Sequence, residues 1–265
     1  MIYFVPTPIG NLKDITLRAL EVLKEVDFIA CEDTRHSLVL LNHYDIKKPL
    51  IAYHKFNEKE CREKIVDRVL KGENCAVITD AGTPVISDPG SVLIEKLIEE
   101  RIDYTVLPGA NAFVPALILS GLNAENFTFI GFLPEKNSQR KALLENAKNL
   151  ESTLIFYLSP HDVKKDVQEI YSFLGERKCA LVKEISKLHE KAIRFTLGDD
   201  IEFDTRGEYV FVVEGGKKEN PLENLSVEEH FNHYYSICGD KMEAIKQVAR
   251  DRKVKKSEIY KIING

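Results

Sequence analysis

Over residues 1–120, short apolar runs alternate with stretches of helical hydrophobic spacing, and this alternation constrains the fold more than any other feature. Apolar runs fall at Ile2–Val5, Phe28–Cys31, Leu50–Tyr53, Cys75–Thr79 and Tyr104–Leu107. Between them, apolar residues recur at helical intervals, as in Leu17-Leu20-Leu23, Ile65-Val66-Val69-Leu70 and Val92-Leu93-Leu97. Strands separated by helices must cross over and run parallel, so this region predicts an α/β domain around a largely parallel sheet. Asn57 and Glu60, three residues apart, read as an N-cap pair opening the third helix. The segment SGLNAE at Ser120–Glu125 breaks the last helix. Beyond it, strand-like runs at Phe127–Leu133, Thr153–Leu158, Cys179–Ser186 and Tyr209–Val213 bunch more closely, and His189–Thr196 is placed to pair back on Leu181–Ile185. We therefore expect three parts: an α/β domain over 1–121, a mixed α/β domain over 122–217, and a small helical tail over 226–265. The polar segment GKKENPLENLS at 216–226 reads as a linker.

Four of the five apolar runs of the first part end in loops of polar or special-geometry residues. The richest is TDAGTPVISDPG at Thr79–Gly90, where Asp80 and Asp88 can accept hydrogen bonds and Gly82 and Gly90 admit close backbone approach. An ordinary turn, with Asp88 or Ser91 capping the next helix, is the alternative. PTPIGN, EDTR and PGANA follow three other runs. Loops at the carboxyl ends of parallel strands share one edge of the sheet, which makes them the candidate walls of a ligand crevice. No G-x-x-x-x-G-K-[ST] is present, and the first strand is followed by prolines instead of G-x-G-x-x-G, so neither nucleotide-phosphate fingerprint applies.

The chain carries 37 Lys and Arg against 42 Asp and Glu, a formal charge of −5 that by itself argues against nucleic-acid binding. The basic residues gather at the end: from Lys241 onward eight Lys or Arg face three acids. That is either a nucleic-acid contact or a solvated helical face. Five cysteines without a CxxC pair point to a reducing, cytoplasmic setting and not to a disulfide or zinc framework. No apolar run is long enough to span a membrane, the N-terminus has no basic leader, and no His/Cys/Asp cluster has metal-ligand spacing.

PTPIGN, EDTR, HKFNE, TDAGTPVISDPG, PGANA, GFLPEK, YLSPH, KEISKLHE and GEYVFVVEG occur in this order along nearly the whole chain. Together they resemble the ribosomal RNA small subunit methyltransferase I family, of the tetrapyrrole methylase fold (class III S-adenosylmethionine methyltransferases). The resemblance implies two α/β domains enclosing S-adenosylmethionine, a homodimer, and methylation of the 2′-hydroxyl of a decoding-centre cytidine in 16S ribosomal RNA of the small subunit. Carried over by position, Pro8, Ile9, Asp80, Gly82, Thr83, Asn111, Ala112, Leu158 and Ser159 are the cofactor-binding candidates. PGANA stands where PGPSA is more usual, and Asp162 follows SPH where an arginine is common. A ribose hydroxyl is a poor nucleophile at neutral pH, so a base is expected. Glu32, Asp33, Arg35, His54 and Asp88 are the catalytic candidates, with Glu58 beside them. Arg35, Lys136, Arg140 and Lys187 are the candidates for gripping RNA phosphates. A tetrapyrrole or modified-histidine methyltransferase, or a cofactor-binding assembly factor, would share much of this pattern. The GGDP loop usual in the tetrapyrrole enzymes is absent.

Overall fold

The alternation of the first part closes into a five-stranded parallel sheet in the computed structural model, which describes residues 1–202, 206–216, 222 and 225–265. Its strands are β1 (Ile2–Phe4), β2 (Phe28–Cys31), β3 (Leu50–Ala52), β4 (Cys75–Ile78) and β5 (Tyr104–Val106), in the order β3-β2-β4-β1-β5. The helices between them are α1 (Leu17–Glu25), α2 (Thr34–His43), α3 (Glu58–Leu70) and α4 (Ser91–Glu99). Every residue of β2 and β4 is buried, as befits central strands with helices packed on both faces. On one face Phe4, Phe28 and Val77 meet Ile65 and Leu93; on the other Val5, Ile29 and Ile78 meet Leu23 and Leu41.

β4 lies between β2 and β1, so the loops leaving β1 and β4 emerge side by side. They are joined there by paired backbone hydrogen bonds between Thr7 and Gly82, of 2.9 and 3.0 Å, and by the Thr7 hydroxyl donating to the Thr79 carbonyl at 3.0 Å.

The second sheet, in the order β6-β7-β10-β8-β9, is mixed. β6 (Phe127–Phe132) runs parallel to β7 (Thr153–Leu158); β7, β10 (Tyr209–Val213), β8 (Lys178–Lys183) and β9 (Lys191–Thr196) run antiparallel. β9 pairs with β8 at Leu181 opposite Ile193, the return expected from the sequence. Gly131, with φ +75°, carries the register shift in β6. α5 (Phe113–Ser120) buries Ala116 and Leu117 against Ile155, Val182 and Val210 of this sheet. α6 (Asn137–Lys148) and α7 (Val163–Leu174) cover its other face through Leu144, Val167 and Ile170.

Two local readings are corrected. Asn57 stands at the N-cap of α3 but makes no capping bond: its amide accepts from His54 N at 2.8 Å and donates to the Ala52 carbonyl at 2.9 Å. Glu60 pairs instead with Lys64. α4 begins after Gly90 with no side-chain cap, so neither Asp88 nor Ser91 serves as one.

The chain divides into two compact units, Met1–Gly216 and Lys217–Gly265. Most of the expected linker lies outside the described residues. The second unit contains α8 (Val227–Cys238), α9 (Lys241–Asp251) and α10 (Lys256–Asn264), packed through Phe231, Ile245, Val248 and Ile259. Ser226 and Glu229 form a reciprocal capping box on α8. His230 is wholly buried, with Nδ1 accepting from Arg252 Nε at 3.1 Å and Nε2 facing Asp251 at 3.2 Å.

Cys31, Cys61, Cys75 and Cys179 are buried free thiols, and only Cys238 is exposed. Burial pushes Cys75 and Cys179 up to about 12. Among the described residues no helix is long and apolar enough to cross a membrane, and no cluster of His, Cys, Asp and Glu is arranged to hold a metal ion.

Candidate active site

A cavity of about 430 Å³ opens where the carboxyl-end loops of the parallel sheet meet the second sheet. Ile9 comes from the loop after β1, Asp80, Gly82, Thr83 and Asp88 from the loop after β4, and Asn111 and Ala112 from the loop after β5. Leu158 and Ser159 at the end of β7 supply part of the opposite wall. All of these were expected from sequence; Pro8, next to Ile9, does not line the cavity.

The loop after β4 is held in a costly shape. Val85 and Ser87 sit at φ +77° and +68°, in the left-handed region that a β-branched residue rarely adopts. Such backbone persists only where its surroundings over-determine it, and each instance costs roughly 1–3 kcal/mol. Here the restraints are named bonds. Thr83 Oγ1 donates to the Ala110 carbonyl at 3.0 Å, Gly90 N donates to Glu58 Oε1 at 2.8 Å, and Asp80 Oδ1 accepts from Asp33 N at 3.2 Å. A side chain at Gly90 would collide with Val85 Cγ2.

Thr79 stands between the carboxyl groups of Glu32 and Asp88. Its hydroxyl donates to Glu32 Oε2 at 3.0 Å. Asp88 is pushed up to about 6, first by burial and then by the charges of Glu32 and Asp80, with the Thr79 hydroxyl opposing the shift. Tyr157, also lining the cavity, is raised to about 12 by burial and by the Asp88 charge. The cavity therefore contains a carboxylate that is ionised at neutral pH yet more basic than an ordinary aspartate.

The other catalytic candidates lie outside the cavity lining. Asp33 caps α2, accepting from Arg35 N at 2.8 Å and pairing with the Arg35 guanidinium at 2.7 Å. That contact holds its carboxyl well below the usual range. Arg35, 89% exposed, is a surface side chain whose pairing contributes little to stability. Glu32 does not line the cavity but bonds the Thr79 hydroxyl and acts on Asp88 through its charge. His54 belongs to the turn after β3, and Glu58 is the first residue of α3.

The phosphate candidates separate as well. Lys136 is exposed at the start of α6. Lys187 is held by Glu184 at 3.1 Å and Glu208 at 2.9 Å. Arg140 is a correction: its guanidinium bridges Asp166 at 2.6 Å and Glu169 at 2.5 Å, and only 10% of its side chain is exposed. It ties α6 to α7 and is not presented to a phosphate.

Sequence reasoning missed Glu208, Tyr209 and Val210, which line the cavity from the beginning of β10, and Phe132 and Ile185. The GEYVFVVEG motif was visible, but the rule that ligands gather at carboxyl ends of parallel strands does not point to the start of an antiparallel one.

Comparison with known proteins adds the following. The profile of the family described as Tetrapyrrole (Corrin/Porphyrin) Methylases matches residues 1–199. A protein of Halalkalibacterium halodurans named ribosomal RNA small subunit methyltransferase I is 44% identical over 98% of this chain and 93% of its own length. The protein of that name in Bacillus subtilis is 41% identical over 98% of this chain and 92% of its own. Among solved structures, a diphthine synthase superposes with a TM-score of 0.65 at 12% identity, covering 80% of this chain and 89% of its own. A cobalt precorrin-4 methyltransferase does so at 0.59 and 18%, covering 80% and 94%. At those identities the structural likeness speaks for the fold alone.

Proposed function

Because the chain belongs to the ribosomal RNA small subunit methyltransferase I family of the tetrapyrrole methylases, we propose that it methylates small-subunit ribosomal RNA. Within that reaction we assign S-adenosylmethionine as donor and the 2′-hydroxyl of a decoding-centre cytidine in 16S RNA as acceptor. The observation that carries this is the cavity: the motif loops of the first sheet converge with the end of β7 on one space that contains Asp88.

The residues present suit the donor. A volume of about 430 Å³ lies within the ~300–1,000 Å³ typical of small-molecule sites. Ile9, Ala112, Leu158 and Val210 offer apolar surface to a nucleobase, and Asp80, Thr83 and Ser159 offer polar groups to its ribose and charged ends. When bound, the cofactor supplies an electrophilic methyl group whose bonding pair stays with sulfur.

The chain has to bring the acceptor oxygen into line and receive its proton. Alignment of this kind supplies up to ~7–11 kcal/mol of a barrier. We assign proton removal to Asp88, the catalytic candidate within the cavity. Its carboxylate takes the hydroxyl proton as the oxygen–carbon bond forms. Burial first, and then the charges of Glu32 and Asp80, keep it basic, and the strained loop keeps it in place. In keeping with the family resemblance we take the active form to be a homodimer working on the small subunit in the cytoplasm.

The test is incubation with tritiated S-adenosylmethionine and small subunits lacking ribose methylation, followed by nuclease mapping. Label on a decoding-centre cytidine ribose is the expected result. Transfer to a base instead of a ribose, or no transfer to RNA at all, would overturn the assignment.

A further inference from the structure

The turn after β3 carries an exposed aromatic ring that the methyl-transfer reading leaves unused. At its apex Phe56 is 94% exposed, although an aromatic side chain normally gains ~1.5–3 kcal/mol from burial. The turn that displays it is pinned by its own hydrogen bonds. Asn57 bonds His54 N and the Ala52 carbonyl through its side chain, and Asn57 N donates to the His54 carbonyl at 2.9 Å. On its inner side the buried Tyr53 donates to Glu58 Oε1 at 3.1 Å, and the same oxygen accepts from Gly90 N. Gly90 is two residues from Asp88, so the turn is tied directly to the loop that lines the cavity.

The surroundings of the ring indicate what it meets. A hollow of about 310 Å³ runs beside it, with Lys55 and Lys59 on its walls. Among the described residues neither lysine is in an ion pair, whereas Glu60 is paired with Lys64 and Glu58 is turned inward. Lysine is depleted from the cores of protein–protein interfaces and common where phosphates are met. The His54 ring stands 6.1 Å from that of Phe56, and its Nδ1 is shut off from solvent without a hydrogen-bond partner among the described residues.

We propose that Phe56 is a stacking platform for an unpaired nucleobase of the RNA substrate, with Lys55 and Lys59 on the adjoining phosphates. This rests on the reading of the substrate as RNA. It also fits the demand of that reaction, because a ribose hydroxyl has to be brought from the RNA strand down to the cavity floor, which favours a strand splayed out of its stack. Aromatic side chains hold such bases without regard to sequence.

The test uses the full chain with Phe56→Ala, Phe56→Leu and Phe56→Trp. Binding of a fluorescein-labelled single-stranded RNA is followed by anisotropy at one salt concentration, and methylation of undermethylated subunits is followed in parallel. Phe56→Ala is expected to weaken RNA binding and raise KM for subunits by about 5- to 150-fold. kcat at saturation and the affinity for S-adenosylhomocysteine are expected to stay as in the parent. Phe56→Trp restores binding and Phe56→Leu does not. Unchanged RNA affinity in Phe56→Ala overturns the proposal. So does rescue by Phe56→Leu equal to that by Phe56→Trp, or a loss seen only as a change of sedimenting mass, which would assign the ring to a second copy of the chain. A parent protein that binds RNA through Phe56 but methylates none would overturn the assigned reaction while leaving the platform standing.

Discussion

Replacing Arg140 by alanine separates a structural arginine from a phosphate-binding one. Its guanidinium bridges Asp166 and Glu169 across α6 and α7, with 10%, 8% and 21% of the three side chains exposed. Removing one partner of a buried ion pair costs ~3–5 kcal/mol, mostly because the remaining charge stays out of water without compensation. Here two carboxylates would be left facing each other, but Glu169 has a partial route to solvent, so the lower part of that range, ~3–4 kcal/mol, is the better figure. For a folding unit of some 216 residues each kcal/mol moves the midpoint by ~2–4 °C, which gives a fall in Tm of roughly 6–16 °C. Arg140→Lys should recover less than half of it, since a single ammonium cannot present the planar fork that spans two carboxylates. Calorimetry of the full chain measures the fall. A Tm within about 2 °C of the parent, accompanied by weaker RNA binding, would refute the argument and return Arg140 to the phosphate contacts.

Asp88→Asn should lower kcat by about 10²- to 10⁴-fold with little change in S-adenosylhomocysteine affinity. In the parent, kcat/KM should fall tenfold per pH unit below the carboxyl value of about 6 and level off above it; a profile flat from pH 5 to 8 would remove Asp88 from the role of base. The folded protein holds the Asp88 proton more tightly than the unfolded chain, so stability is lost as pH rises from about 4 through about 6. Asp88→Asn should therefore melt higher than the parent at pH 7.5 and equally at pH 4, which paired thermal scans would check. His230→Ala should leave Asp251 and Arg252 without their shared partner and cost the second unit ~2–4 kcal/mol. Limited proteolysis should then cut within residues 227–265 while a fragment of residues 1–216 persists.

What could be read from the sequence depended on the range of the interactions. The parallel sheet was legible because each strand is a contiguous apolar run, and its loops were legible because Gly, Pro and Asp mark them locally. Ile9, Asp80, Thr83 and Asn111 could be placed at one sheet edge without knowing which strands are neighbours. Arg140 could not be assigned, because its partners lie 26 and 29 residues further on, on another helix, and an arginine among polar residues looks like solvated surface. Asn57 was misread for the opposite reason: its partners, His54 and Ala52, are so near in sequence that the turn competes with the helix cap for the same amide. The wall contributed by Glu208–Val210 required the antiparallel pairing of β10 with β7 and β8, a tertiary fact with no local signature.

The distribution of thiols gives the chain a built-in address for chemistry. Four of the five sulfurs are buried in the Met1–Gly216 unit, and burial makes each of them harder to ionise. Cys238 alone is exposed, at the end of α8 in the other unit. Since the thiolate is the species that alkylates, a maleimide dye added to the native protein at neutral pH should attach once, to the basic helical unit. The unmodified sequence is thus ready for single-molecule work: one fluorophore on the tail would report directly whether that unit moves or is immobilised when RNA arrives, with no engineered cysteine and none to remove.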